Sequence, residues 1–153
     1  MAAIKVIRDS NTASMTGIAS NSLSIANGDM VSLWGGFVVK ATASTGKIAG
    51  FANGTKTYAS DNQTVAKDVV NFLVAETGET VVELSTSAAT LAQTDVGKYY
   101  LLNSSQVVDV TTGRTFKSAV NTSDGGVAAD IVTDFQLQLV EFVSTSKGRF
   151  MVV

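Results

Sequence analysis

The chain has 153 residues, 45% apolar and only 16% charged, a balance that excludes disorder and suits a single folded domain. A formal net charge of -2 and a pI of about 4.9 leave no broad positive field to hold nucleic acid or anionic lipid. Cys, His and Pro are all absent, which removes disulfides, thiolate metal sites and imidazole chemistry. Any catalysis would fall to carboxylates, lysines and hydroxyls.

In chain order, the opening "MAAIKVIRDSNTASM" holds a short strand at Ile4 to Ile7 and no signal-like apolar run. No segment approaches the ~20 apolar residues of a membrane span, so the expectation is a chain made in a cytoplasm with no membrane partner. Asp9 to Ser24 is polar and small-residued, with Met15 and Ile18 as isolated apolar anchors and Leu23 at its end. It reads either as a surface loop or as an N-terminal arm that orders against a partner, and Met15, Ile18 and Leu23 are then the contact residues.

From there apolar residues alternate or run in short blocks instead of recurring every three to four positions. Strands are predicted at Leu23 to Ala26, Met30 to Leu33, Phe37 to Ala41, Val69 to Val74, Val81 to Leu84, Tyr99 to Leu102, Val107 to Val110, Asp134 to Val143 and Arg149 to Val153. Turn signals separate them, among them Asn27-Gly28-Asp29, Gly35-Gly36, Asn53-Gly54, Thr77-Gly78 and Lys147-Gly148. The expected fold is all-β, a small β-barrel or β-sandwich with short hairpins and an extended N-terminal segment. Residues 1–27 supply the first strand and the arm, and residues 28–153 the β-rich domain. Within it "STSAATLAQTDVG" is either one helical turn capped by Ser87 or Thr90, or a boundary near 87–97 between two β subdomains.

In "DFQLQLVEFV", Phe135, Leu137 and Leu139 share one face, but Val140 and Phe142 continue the apolar set after a slip of one residue. A β-bulge at Leu139 and Val140 would restore one buried face, and Phe150 and Val152 are expected to tie "GRFMVV" into the core.

Chemical motifs are weak. Ser44 to Lys47 and Ser144 to Lys147 have the serine-x-x-lysine spacing, but both lie in glycine-containing turns, where no helix brings amine to hydroxyl. Gly50 to Lys56 has Gly-Thr-Lys entering a strand, not the Gly-Lys-Thr order at a helix mouth that cradles phosphate. Glu76, Glu79 and Glu83, and Asp124, Asp130 and Asp134, form two carboxylate groups whose plain reading is solvated turn charge; a glycosidase pair or a loose calcium site is the sharper one. Asn53, Asn62, Asn103 and Asn121 begin N-x-S/T triplets and read as turn asparagines. Trp34, Tyr99 and Tyr100 are candidate exposed rings for a glycan- or receptor-binding module, although Trp34 follows Met30 and Ser32 at core spacing.

The order "GDMVSLWGGFVVKATASTGKIAGFANGTKTYASD" and then "VVNFLVAETGETVVEL" resembles the head decoration, or capsid cement, proteins of tailed bacteriophages. The likeness runs over about residues 28 to 86 and rests on Gly28-Asp29, Val38-Val39, Gly46, Ile48 to Gly50, Gly54 and Gly78. It is a pattern of strands and turns. Several such proteins carry a proline-rich N-terminal arm, and this chain departs from them in having no proline. The resemblance implies a non-enzymatic virion protein on the capsid surface, bound to the major capsid protein at subunit junctions, self-associated as a homotrimer and free of cofactors. A head fibre base or tail component is the neighbouring reading.

Overall fold

The computed structural model describes residues 5–8, 13–115 and 135–153. Among them the regular secondary structure is nearly all strand, in three antiparallel sheets of a sandwich-like class that do not close into a barrel. No described helix is long and apolar enough to cross a membrane.

The five-stranded sheet holds β2 (Ser14–Ile18), β4 (Met30–Trp34), β5 (Phe37–Lys40), β6 (Gly50–Ala52) and β8 (Val69–Val74), in the order β2-β8-β6-β4-β5. The larger sheet holds β9 (Val81–Ser85), β10 (Tyr99–Leu102), β11 (Val108–Arg114), β12 (Leu137–Ser144) and β13 (Lys147–Val152), in the order β9-β13-β12-β10-β11, with β1 (Lys5–Arg8) outside β9. A two-stranded ribbon pairs β3 (Ser24–Ile25) with β7 (Lys56–Thr57). Ranked along the chain, both main sheets repeat one arrangement: first, fifth, fourth, second, third. Each also curls until its first and third strands meet at one parallel bridge, Ala19 with Val38 and Thr86 with Val108. Even the bond is repeated, since Ser20 N–H donates to the Val38 carbonyl at 2.9 Å and Ser87 N–H to the Val108 carbonyl at 2.8 Å.

Alternation sets the faces. In β8, Val70 and Phe72 are buried while Val69, Asn71 and Leu73 are exposed. The curl of the five-stranded sheet encloses Val31, Val38, Ala52, Val70 and Phe72 with Leu23 and Tyr58. Its other face contributes Met30, Ala41, Ile48 and Phe51 to a core shared with Val82, Tyr100, Leu102, Leu137, Leu139, Phe150 and Val152 of the larger sheet. The Val140 bulge is present: Leu139 faces Phe150 and Glu141 faces Arg149, leaving Val140 without a partner opposite. Phe150 and Val152 are fully buried, as the sequence led us to expect.

Two buried glutamines join the sheets. Gln136 accepts from Leu102 N–H at 3.0 Å and donates to the Thr42 and Gly46 carbonyls at 2.7 and 2.6 Å. Gln106 bonds Met30 and Ala41 in the same way. Each gives a partner to backbone groups in an apolar setting, the Leu102 N–H and the Gly46 carbonyl for Gln136 and the Met30 N–H and the Ala41 carbonyl for Gln106, where an orphan would cost about 1–3 kcal/mol.

The chain passes between the main sheets at Ala75 to Thr80, and residues 87–97 lie in the larger sheet's connection from β9 to β10. That connection holds a tight turn, Gln93–Asp95, whose N-terminal cap is Ala92 and not Ser87 or Thr90: the Ala92 N–H donates to the Asp95 carboxylate at 2.9 Å. A second, wider turn at Asn62–Ala66 had no sequence signal beyond Asp61-Asn62. It is held by the buried Asn62 amide, which donates to the Ala19 and Asp68 carbonyls at 2.8 and 2.9 Å and accepts from Asp68 N–H at 3.0 Å.

Candidate functional site

The segment read as loop or arm is a strand at Ser14–Ile18 and a turn from Ser20 to Leu23. Ser14 to Ile18 is a strand paired residue by residue with Leu73 to Val69, and Leu23 is buried in the curl. The reason is that Met15 and Gly17 take the inner face, so a glycine stands where an apolar alternation would show a larger side chain. Met15 is exposed, Ile18 half-buried and on the opposite face, and Leu23 internal, so the three do not form one contact surface. Asp9 to Thr12 lie outside the described residues.

The aromatic candidates separate as well. Tyr100 is corrected from exposed platform to core: its ring meets Phe150 edge-on at 5.8 Å and 88°, and burial pushes its phenol up to about 12. Tyr99 is half-buried beside Phe135, with ring centroids 6.4 Å apart. Trp34 is 58% exposed, because β4 carries it past the rim of the shared core to the Gly35-Gly36 hairpin, where both glycines have positive φ.

The carboxylates make no reactive pair among the described residues. Glu83 lies on the outer face of β9 between Lys147 at 3.7 Å and Arg149 at 3.5 Å, and Arg149 continues to Glu141 at 3.0 Å. Glu76 and Glu79 sit in the turn before β9. Among the described residues no three metal-ligating side chains gather, and Asp124, Asp130 and Asp134 fall outside them. Lys98 donates to Asp95 at 2.8 Å and, with the Ala92 N–H, holds that carboxyl below its ordinary range.

Both serine-lysine spacings are turns: Ser144 and Lys147 face each other across the β12–β13 hairpin, and Ser44 bonds Thr42 at 3.2 Å. Gly50 opens β6 and not a helix, and a Cβ there would run into the Leu73 carbonyl. A buried Asp29 underlies the Gly28-Asp29 turn, accepting from the Ala26 N–H at 2.9 Å and pairing with Lys40 at 3.2 Å.

What the described residues do present is a set of exposed apolar side chains, more of them in the first half of the fold than in the second. Among the described residues, the exposed large apolar side chains are Met15, Leu33, Trp34, Val65, Val69 and Leu73 in the first half of the fold and Val96, Val140 and Val143 in the second. Leu33, Val65, Val69 and Leu73 carried no sequence signal, since alternation shows two faces without showing which is covered. The chain matches no known family model, and no curated protein sequence is significantly similar to it.

Proposed function

We propose that this is a non-catalytic structural protein of a phage virion, which attaches to the outer surface of the capsid at junctions between major capsid subunits and stabilises the shell. The observation that carries the reading is how many large apolar side chains the five-stranded sheet leaves exposed: Met15 and Leu33 on one face, Val69 and Leu73 on the other, and Trp34 at a hairpin tip. Single exposed apolar residues are ordinary on a surface, whereas several carried by one small sheet suit a protein contact. The strand and turn pattern of residues 28 to 86 supports the same reading, and the paired outer charges of Glu83, Arg149 and Glu141 suit a solvent-facing back.

Purified protein mixed with expanded and unexpanded shells of the phage that encodes it should co-sediment with the expanded form and raise its resistance to heat. Absence of binding to expanded shells would remove the reading; binding to tails alone would move the protein elsewhere in the virion. A second reading, a glycan- or receptor-binding module, is favoured by Trp34 alone, as a ring on a hairpin tip. A glycan array separates the two: Trp34→Ala should leave folding stability within about 0.5 kcal/mol, because the ring is exposed, and should abolish glycan signal only if this second reading holds.

A further inference from the structure

The two main sheets share one strand arrangement but differ along one edge. In the larger sheet, β9 has β13 on one side and β1 on the other, with Lys5 facing Glu83 and Val6 facing Val82. In the five-stranded sheet the place of β9 is taken by β2, paired with β8 on one side. The Val74 N–H donates to the Ala13 carbonyl at 2.9 Å and the Ala19 N–H to the Asp68 carbonyl at 3.0 Å, so odd-numbered residues of β2 bond toward β8. Antiparallel bonding alternates along a strand, which turns the N–H and C=O of Ser14 and Thr16 the other way. Among the described residues no strand pairs with them there; β5 reaches this end of the sheet only at Ala19. Ser14, Met15 and Thr16 are all exposed.

Edges meant to stay in water are commonly guarded by Lys, Pro or a bulge. Ser-Met-Thr-Gly-Ile has none of these, whereas β1 begins at Lys5 and ends at Arg8. The segment is also complementary to itself. Two copies laid antiparallel about Met15 set Ser14 against the second copy's Thr16 and Thr16 against its Ser14, which satisfies every outward group of both residues. Met15 then faces its own counterpart. Exposed apolar side chains flank the edge on both faces: Met15 and Leu33 on the side lined by Gly17, where an added Cβ would lie 3.9 Å from Leu33, and Val69 and Leu73 on the other.

We propose that β2 pairs with β2 of a second copy across a two-fold axis at Met15, joining the two five-stranded sheets into one, as β1 already completes the equivalent edge within each chain. The proposal does not rest on the capsid reading, and failure of shell binding leaves it intact.

Sedimentation velocity of the full chain over a concentration series tests it. The wild type should pass from one copy to two. Thr16→Pro should remain a single copy with an unchanged circular dichroism spectrum, because the N–H it removes bonds nothing among the described residues. Should Thr16→Pro fail to fold, the register is read from charge: Met15→Glu and Met15→Lys should each be monomeric, and an equimolar mixture should recover the two-copy species. A wild type that stays single or forms a three-copy species overturns the proposal. So does association that survives in Thr16→Pro, or a charge mixture that does not reassemble.

Discussion

The side-chain amide of Gln106 meets both backbone polar groups of Met30: the Met30 N–H donates to its Oε1 at 3.0 Å, and its Nε2 donates to the Met30 carbonyl at 2.6 Å. A primary amide thereby stands in for a strand residue beside β4, and Nε2 also reaches the Ala41 carbonyl at 3.1 Å. Replacing it by an apolar side chain of similar size would strand the Met30 N–H and the Ala41 carbonyl in the core shared by the sheets, while the Met30 carbonyl keeps its bond from the Ala41 N–H at 3.0 Å. Gln106→Leu is expected to lower stability by about 3 kcal/mol or more, and Gln136→Leu by a similar amount. Urea unfolding monitored by far-ultraviolet circular dichroism checks both, and a loss under about 1 kcal/mol would mean that water replaces the lost bonds.

Gly50 is required by space. Its position in β6 places any Cβ against the Leu73 carbonyl and within 2.7 Å of the Phe72 ring, and backbone in mid-sheet does not yield as a side-chain tip does. Gly50→Ala should destabilise by at least about 3 kcal/mol, although alanine is otherwise the better residue in an ordered segment. Thermal unfolding of the variant reads this directly.

Tyr100 predicts the alkaline limit. Its folded value is raised to about 12 from an ordinary 10.0, chiefly by burial and secondarily by the Asp95 charge. Below pH 10 the phenol is neutral folded and unfolded, so it adds no pH dependence. Between the two values the unfolded chain releases a proton that the folded chain keeps, and stability falls as pH rises. Tyr100→Phe should flatten that decline, as measured by urea midpoints from about pH 9 to about pH 12.

Alternation made the strands, the Val140 bulge and the burial of Phe150 and Val152 legible, because each is a local statement about period. Burial of polar residues was not. Gln106 and Gln136 look like surface glutamines until the sheets curl and leave backbone groups facing inward. Trp34 reads both as an exposed ring and as a residue at core spacing from Met30 and Ser32; it is exposed, because the core ends at Ser32 and the strand continues past it. The repeated strand order has no sequence trace at all, since each half fills the same topology with different turns.

Lys5–Arg8 pairs with Val81–Ser85, so during synthesis the whole five-stranded sheet is made between the first strand and its partner. A nascent chain halted near residue 75 holds every strand of the five-stranded sheet while Lys5–Arg8 has nothing to pair with. The larger sheet gains its central strand only when Lys147–Val152 leaves the ribosome. Until Val81–Ser85 follows, the emerging polypeptide carries an opening strand without its native neighbour, an edge open to the wrong one.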